Sequence, residues 1–279
     1  MPARPHLLVS TPIAGEGVWQ PGPRSASGVP LVFTTFMRPN DVQTSLVTGV
    51  AWMDPKRLQF NLYSGSDEPG GAGWQHMAPI PFEERPDLVA SFNSGFKLTD
   101  SHGGYLAEGR QAPGHPLVAG QASLVIRKDG SVDVGTWGRD DSTGTDIMAV
   151  RQNLSLLIDG GVEAPDLDRD SSKWGATLGN NVFTWRSGVG VDGGGHLIYV
   201  GGKLTVHALA DVMRATGAVR AMELDINPTW VHFFTYHDDP SVPGGTGGGK
   251  LIPQMAAGTN EYFKPSGRDF IAAFARPGS

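Results

Sequence analysis

Glu223-Leu224-Asp225-Ile226-Asn227 places two carboxylates and a carboxamide at alternate positions, with Met222, Leu224 and Ile226 interleaved. On a strand, residues two apart share a face and lie about 6.5–7 Å apart. One face of such a strand feeds a core, and the other presents two acids and an amide. Paired carboxyl groups can divide the work of acid and base. Pro228 cannot donate to a sheet ladder, so the strand is expected to end there. The plainer reading is a surface strand with a solvated polar face, or Asp225 capping a turn.

Other polar residues fall where strands open into loops, a common place for function. Asn93 and Lys97 flank Ser94-Gly95-Phe96, just after the apolar run Leu88–Phe92. Glycine directly after a strand points to a close backbone approach. Tyr105 lies in the next loop, with Asp100, His102 and Glu108. Arg151, Asn153 and Asp159 punctuate 146–158 and the Gly160-Gly161 turn that follows. Arg186 shares a strand face with Val182 and Thr184, opposite Trp185 and Ser187, and its guanidinium can hold an anion bidentately. Lys97 can meet an anion or simply be solvated. Asp159 can hold a hydroxyl or form an Asx-turn. Trp230, Phe233, Tyr236 and Tyr105 can stack on a ring or belong to the core.

The elements that must position these residues are mostly short strands. Runs at 31–37, 46–53 and 57–63 are β-branched or aromatic. Ala122–Arg127 and Ser131–Trp137 flank Lys128-Asp129-Gly130, a hairpin signal. Strands are also expected at 182–191, 196–200, 230–236 and 270–274, with Gly201-Gly202 as a turn and 238–250 as a long glycine-rich loop. One helix stands out: Val206, Leu209, Ala210 and Met213 mark a single face, Thr205 is its N-cap, and Gly217 follows its end. Residues 1–29 are rich in Pro, Gly and Ser and read as an arm. The fold class expected is α+β: one domain, residues 30–279, dominated by a mixed or antiparallel twisted sheet or partly closed barrel with few helices.

Composition narrows the function. The 279 residues include 39 Gly and 21 Pro, a turn-rich chain, and 39% hydrophobic residues, enough for a core. A net charge of −6 without a long basic run argues against nucleic acid. The absence of cysteine excludes disulfides and thiol chemistry. No apolar window approaches the ~18 residues of a membrane span. Leu7-Leu8-Val9 is short for a signal-peptide core of ~7–15 residues, so the protein either stays inside or has had an export segment trimmed. His237-Asp238-Asp239 and Asp100 with His102 have metal-ligand types without a recognised spacing, and neither a metal nor a cofactor is expected.

Four segments, in order, resemble the phosphodiester glycosidase family, the uncovering-enzyme-like domain. They are Phe92-Asn93-Ser94-Gly95-Phe96; Val150-Arg151-Gln152-Asn153 with Asp159-Gly160-Gly161; Trp185-Arg186-Ser187-Gly188-Val189-Gly190-Val191-Asp192; and Ala221-Met222-Glu223-Leu224-Asp225. Together they span roughly 85–236. Where the family has Gly-Gly-Gly-Ser after the aspartate, this chain has Ile226-Asn227-Pro228-Thr229-Trp230, as in a bacterial branch. The resemblance implies a glycosidase working outside the membrane on a sugar-phosphate diester, or on a related glycosidic bond in an envelope polymer or exopolysaccharide.

Glycosyl transfer to water needs an acid for the leaving oxygen and a base or nucleophile for the anomeric carbon. A phosphate leaving group also calls for nearby positive charge or donors. Asp225 is the carboxylate expected at the sugar, Glu223 its partner and Arg186 an anion ligand. Asn93, Lys97, Tyr105, Asn153, Asp159, Asn227 and Trp230 are the expected substrate contacts. Because the glycines that would admit a phosphate are replaced, a phosphate-free glycoside hydrolase or transglycosylase is the alternative. A non-catalytic carbohydrate-binding envelope protein is a third.

Overall fold

The computed structural model describes residues 1–25, 27–168, 171–177, 181 and 183–278. Three antiparallel sheets share one core. The largest has eight strands, in the spatial order Gln20–Pro21, Val32–Met37, Thr48–Met53, Leu197–Leu204, Thr184–Asp192, Ala218–Glu223, Leu156–Asp159 and Val162–Glu163. A five-stranded sheet runs Arg110–Gln111, Tyr105–Ala107, Ile147–Gln152, Ala122–Arg127, Val132–Thr136. Another runs Thr246–Lys250, Phe233–Asp238, Leu88–Asn93, Phe270–Ala275, Leu58–Tyr63. None closes into a barrel, and helices are few.

The central sheet is covered on both faces. Ala51, Met53, Tyr199 and Met222 point into a cluster shared with Phe60 and Phe92 of one small sheet and Leu124 and Val134 of the other. Val50, Trp52, Ile198 and Val200 point the opposite way, onto the helix Val206–Ala215. That helix forms as its sequence dictates. Thr205 accepts a hydrogen bond from Ala208 N at 2.9 Å, and Gly217 takes φ +100° just past the end. Val206, Leu209, Ala210 and Met213 are all buried against the sheet. Burying a side chain such as Leu209 is worth about 1.5–3 kcal/mol.

Residues 1–25 lie along the same layer. Gln20–Pro21 pairs with Phe33 and Thr34, Leu7, Leu8 and Trp19 pack near the helix, and Glu16 meets Arg38 at 2.8 Å.

Two expected connections are strands instead. Gly201-Gly202 continues Leu197–Leu204, paired with Gly49 and Thr48. Thr246–Lys250 pairs with Phe233–Asp238, so 238–250 is a hairpin with its return strand made of glycine. Glycine is a poor strand former by propensity, but a Cβ on Gly248 would come within 2.8 Å of Thr259. Close packing has overridden propensity there. Val182, expected to begin the 182–191 strand, lies outside the described residues; the strand is described from Thr184.

Candidate active site

Regular pairing of the Ala218–Glu223 strand with Thr184–Asp192 ends where Gly188 faces Glu223. Beyond it, Leu224 N donates to Ser187 O at 2.8 Å, and Ser187 N donates to Asp225 O at 2.9 Å. Leu224 and Asp225 thus both oppose Ser187, the two-against-one pattern of a β-bulge, which re-aims side chains. The strand ends at Glu223, well short of Pro228. The polar positions are not a solvated face either: Glu223 is 0% and Asp225 3% exposed. Two residues apart, the carboxylates enter different surroundings.

Glu223 is sealed against Arg186. Its Oε1 accepts from Arg186 Nη1 at 2.6 Å, and the same Nη1 reaches the Trp174 carbonyl at 3.3 Å. Burial pushes the Glu223 carboxyl up to about 7, against the pull of Arg186, with Asp225 adding a further push. Desolvation outweighs ion pairing there. Neither Glu223 nor Arg186 lines the cavity beside Asp225. The bulge turns Asp225 toward that cavity, while Glu223 and Arg186, expected at the substrate, lie buried together off it.

Asp225 pairs with a different arginine, from far along the chain. Arg268 Nη2 donates to Asp225 Oδ2 at 2.8 Å and to the Gly95 carbonyl at 2.7 Å, and its guanidinium lies 5.4 Å from the Trp230 ring centre. Asp225 Oδ1 accepts from Asn227 N at 2.8 Å. Burial raises the Asp225 pKa, while Arg268 and the backbone donors oppose it. The turn Ser266–Asp269 that carries Arg268 is fixed from below. Asp269 accepts from Arg151 Nε at 2.7 Å in a fully buried pair, and the Gly267 carbonyl accepts from Glu68 N at 2.9 Å.

Between these groups is a cavity of about 10 Å³, room for roughly one water. Its floor is buried (Asn93, Ser94, Asp225, His232), and its rim is half-buried (Trp230, Glu261, Ser266, Arg268). Three buried polar atoms of the lining have no hydrogen-bond partner among the described residues: Ser94 Oγ, His232 Nε2 and Arg268 Nε. Buried polar groups are normally satisfied, so such a cluster marks a place for a polar ligand. Burial lowers the His232 pKa to about 4, helped by Lys250 and opposed by the Thr229 carbonyl. The imidazole is neutral at pH 7.

The other expected residues divide. Trp230 is on the rim. Asn227 is half-buried beside Asp225, its side chain accepting from Thr229 N at 2.9 Å. Asn93 lines the cavity, but its carboxamide is engaged: Oδ1 accepts from Tyr199 Oη and His232 N, and Nδ2 donates to Ser94 O and Ser187 Oγ. Asn153 lies outside the cavity, donating to the Glu223 and Leu224 carbonyls and accepting from Phe96 N. A Cβ on Gly95 would sit 3.0 Å from it, the close approach expected of that glycine. Lys97 is exposed and off the lining. Tyr105 is fully buried, bonded to Ser64 Oγ at 2.8 Å, because its strand faces the core. Asp159 is half-exposed and paired with Arg139 at 2.7 Å on the surface. These three are not brought to Asp225.

Sequence reading missed Arg268, His232, Ser94 and Asp269 as site residues. Ser94 stood inside a motif and was legible. His232 was hidden in an aromatic run, and Arg268 and Asp269 arrive only through the sheet formed by Phe270–Ala275. Three metal-ligand side chains gather elsewhere, at Glu163, His207 and Asp211, and none lines this cavity.

Residues 87–225 match the profile of the phosphodiester glycosidase family, from the start of the Asn93 strand through Asp225 itself. The chain carries a phosphodiester glycosidase domain. Its fold is that of the catalytic domain of zebrafish N-acetylglucosamine-1-phosphodiester alpha-N-acetylglucosaminidase, a structure described as auto-inhibited by its pro-peptide. The two share 14% identity with a TM-score of 0.56, over 93% of this chain and 88% of that one. A hypothetical protein from Synechocystis aligns at 12% identity and TM-score 0.45, over 88% of this chain and 62% of that one. A putative exported protein from Burkholderia pseudomallei aligns at 13% and 0.37, over 83% and 74%. No curated protein sequence matches the chain. Arg268 and His232 both lie beyond the segment matched by the family profile.

Proposed function

We propose that this phosphodiester glycosidase domain hydrolyses a sugar-phosphate diester, or a related glycosidic bond, in a bacterial envelope polymer or exopolysaccharide, outside the cytoplasmic membrane. The observation that carries the reading is Asp225. It closes the family segment, lies on the floor of a polar cavity and is held by an arginine. A cavity of about 10 Å³ takes a water, not a sugar ring, so the ring rests on the half-buried rim, against Trp230. Asp225 stabilises positive charge developing at the anomeric carbon. Arg268 supplies donors to the departing oxygen in place of the glycines replaced by Ile226, Asn227 and Pro228. Glu223, Arg186 and Asn153 hold the bulge that aims Asp225. The substrate is carbohydrate and no nucleic acid is involved, in keeping with the net charge of −6.

The Asn227–Thr229 turn favours a second reading. It folds over Asp225 through the Asn227 N–Oδ1 bond where the family has glycine, which suits a phosphate-free glycosidic bond. The test is sugar release, detected by mass, from α-N-acetylglucosamine-1-phosphodiester, a glucose-1-phosphodiester and phosphate-free envelope polysaccharides. Release from the diesters supports the first reading; release from the polysaccharides alone supports the second. Saturable glycan binding with no turnover on any of them would sink both in favour of a carbohydrate-binding protein.

A further inference from the structure

We infer that His232 is a catalytic residue of this site, its Nε2 accepting the proton of the water that attacks the anomeric carbon. The inference rests on the glycosidase reading above. His232 is 1% exposed and fixed through its main chain: its N donates to Asn93 Oδ1 at 3.1 Å, and its carbonyl accepts from Asn93 N at 3.2 Å and Tyr199 Oη at 3.1 Å. Its ring is stacked on Phe234 at 5.6 Å and edged by Tyr262 at 6.4 Å. Packing therefore sets the imidazole in one orientation, and Nε2 is left unbonded in the lining of a cavity the size of one water.

Asp225 is less suited to take that proton. Oδ1 already accepts from Asn227 N and Oδ2 from Arg268, so both oxygens are engaged, whereas His232 Nε2 has no partner among the described residues. The groups around the imidazole are Asp225, Glu261, Asp269 and Arg268 across the cavity, Lys250 on the neighbouring strand and the Thr229 carbonyl. With no hydrogen-bond partner, Nε2 has its lone pair free toward the cavity, within reach of a water held there.

In the step, the water oxygen bonds to the anomeric carbon as the bond from that carbon to the leaving oxygen breaks. The bonding pair departs on the leaving oxygen. The water proton moves to Nε2, giving an imidazolium beside the Asp225 carboxylate, which later loses the proton to solvent. A single displacement of this kind inverts the anomeric configuration.

Two measurements test the assignment. The first needs no turnover: NMR of the full chain labelled with ¹⁵N-histidine. His232 is expected to be neutral at pH 7, with Nε2 unprotonated and a titration midpoint near 4. A cationic ring at pH 7, or a proton on Nε2, overturns the inference whether or not a substrate is found. The second uses the sugar-phosphate diesters. His232→Gln and His232→Asn are expected to lose about 10²–10⁴-fold in kcat with KM little changed, while wild type gives the inverted sugar. Absence of wild-type turnover counts against the glycosidase reading and leaves the NMR result to decide on the imidazole. Wild-type turnover with His232→Gln within threefold of it, or with retained configuration, overturns the role of His232 alone.

Discussion

Glu223–Arg186 and Asp225–Arg268 are both carboxylate–arginine pairs, and the two carboxylates are neighbours-but-one in the chain. Otherwise they differ. Arg186 and Glu223 come from adjacent strands, and their side chains are 1% and 0% exposed. Arg268 comes from a distant turn, is 12% exposed, and shares its guanidinium between Asp225, a backbone carbonyl and the face of Trp230. The first pair has strand-fixed geometry and lines no cavity among the described residues, although Arg186 Nε and Glu223 Oε2 are also buried without a partner there. The second borders a cavity with a half-buried rim. One bulged residue separates a pair buried off the cavity from one that lines it, and type and spacing alone do not say which is which.

Four perturbations would break or sharpen that contrast. Asp225→Asn should reduce sugar release about 10³-fold or more, with the unfolding midpoint little moved, since the amide still accepts from Asn227 N. Arg186→Met should do the reverse, destabilising the fold by about 3–5 kcal/mol in denaturant titration because Glu223 is left buried without its partner. If Arg186→Met lost activity at full stability, the assignment of the two pairs would be inverted.

The pH dependence of stability should belong to the sealed pair. Glu223 has its carboxyl raised from 4.5 to about 7 in the folded state. Its contribution is therefore complete below about pH 4.5 and is lost as pH rises through about 7. That loss amounts to roughly 3 kcal/mol. Unfolding free energies from pH 4 to 8 should show this slope in wild type and lack it in Glu223→Gln; an equal slope in both would exclude Glu223 as its source. At the small end, Asp159→Ala should leave activity unchanged and shift stability by less than about 1 kcal/mol, because its pair with Arg139 is on the surface. A large activity loss there would extend the site well beyond the cavity.

Much of the fold was legible where local rules agree. The helix at 206–215 had its apolar face, N-cap and terminal glycine all written in sequence, and the hairpin around Asp129-Gly130 had its turn. The Thr246–Lys250 strand was not legible, because it depends on a neighbour that tolerates no side chain. At the site, Asp225 and Asn93 stood out by type and position. The bulge did not: alternation puts 223 and 225 on one face, and a single extra residue against Ser187 separates them. Arg268 gave no local signal, since it reaches Asp225 only once Phe270–Ala275 pairs with Leu88–Asn93 and Asp269 meets Arg151.

In the function proposed for this site, Asp225 acts on substrate while Glu223 holds the scaffold. Turnover of α-N-acetylglucosamine-1-phosphodiester by Asp225→Asn and Glu223→Gln, side by side at pH 7 and corrected for folded fraction, tests it most directly. Glu223→Gln is expected to keep at least about a tenth of wild-type kcat while Asp225→Asn falls about 10³-fold or more. Full activity in Asp225→Asn, or an equal collapse in both, would contradict it.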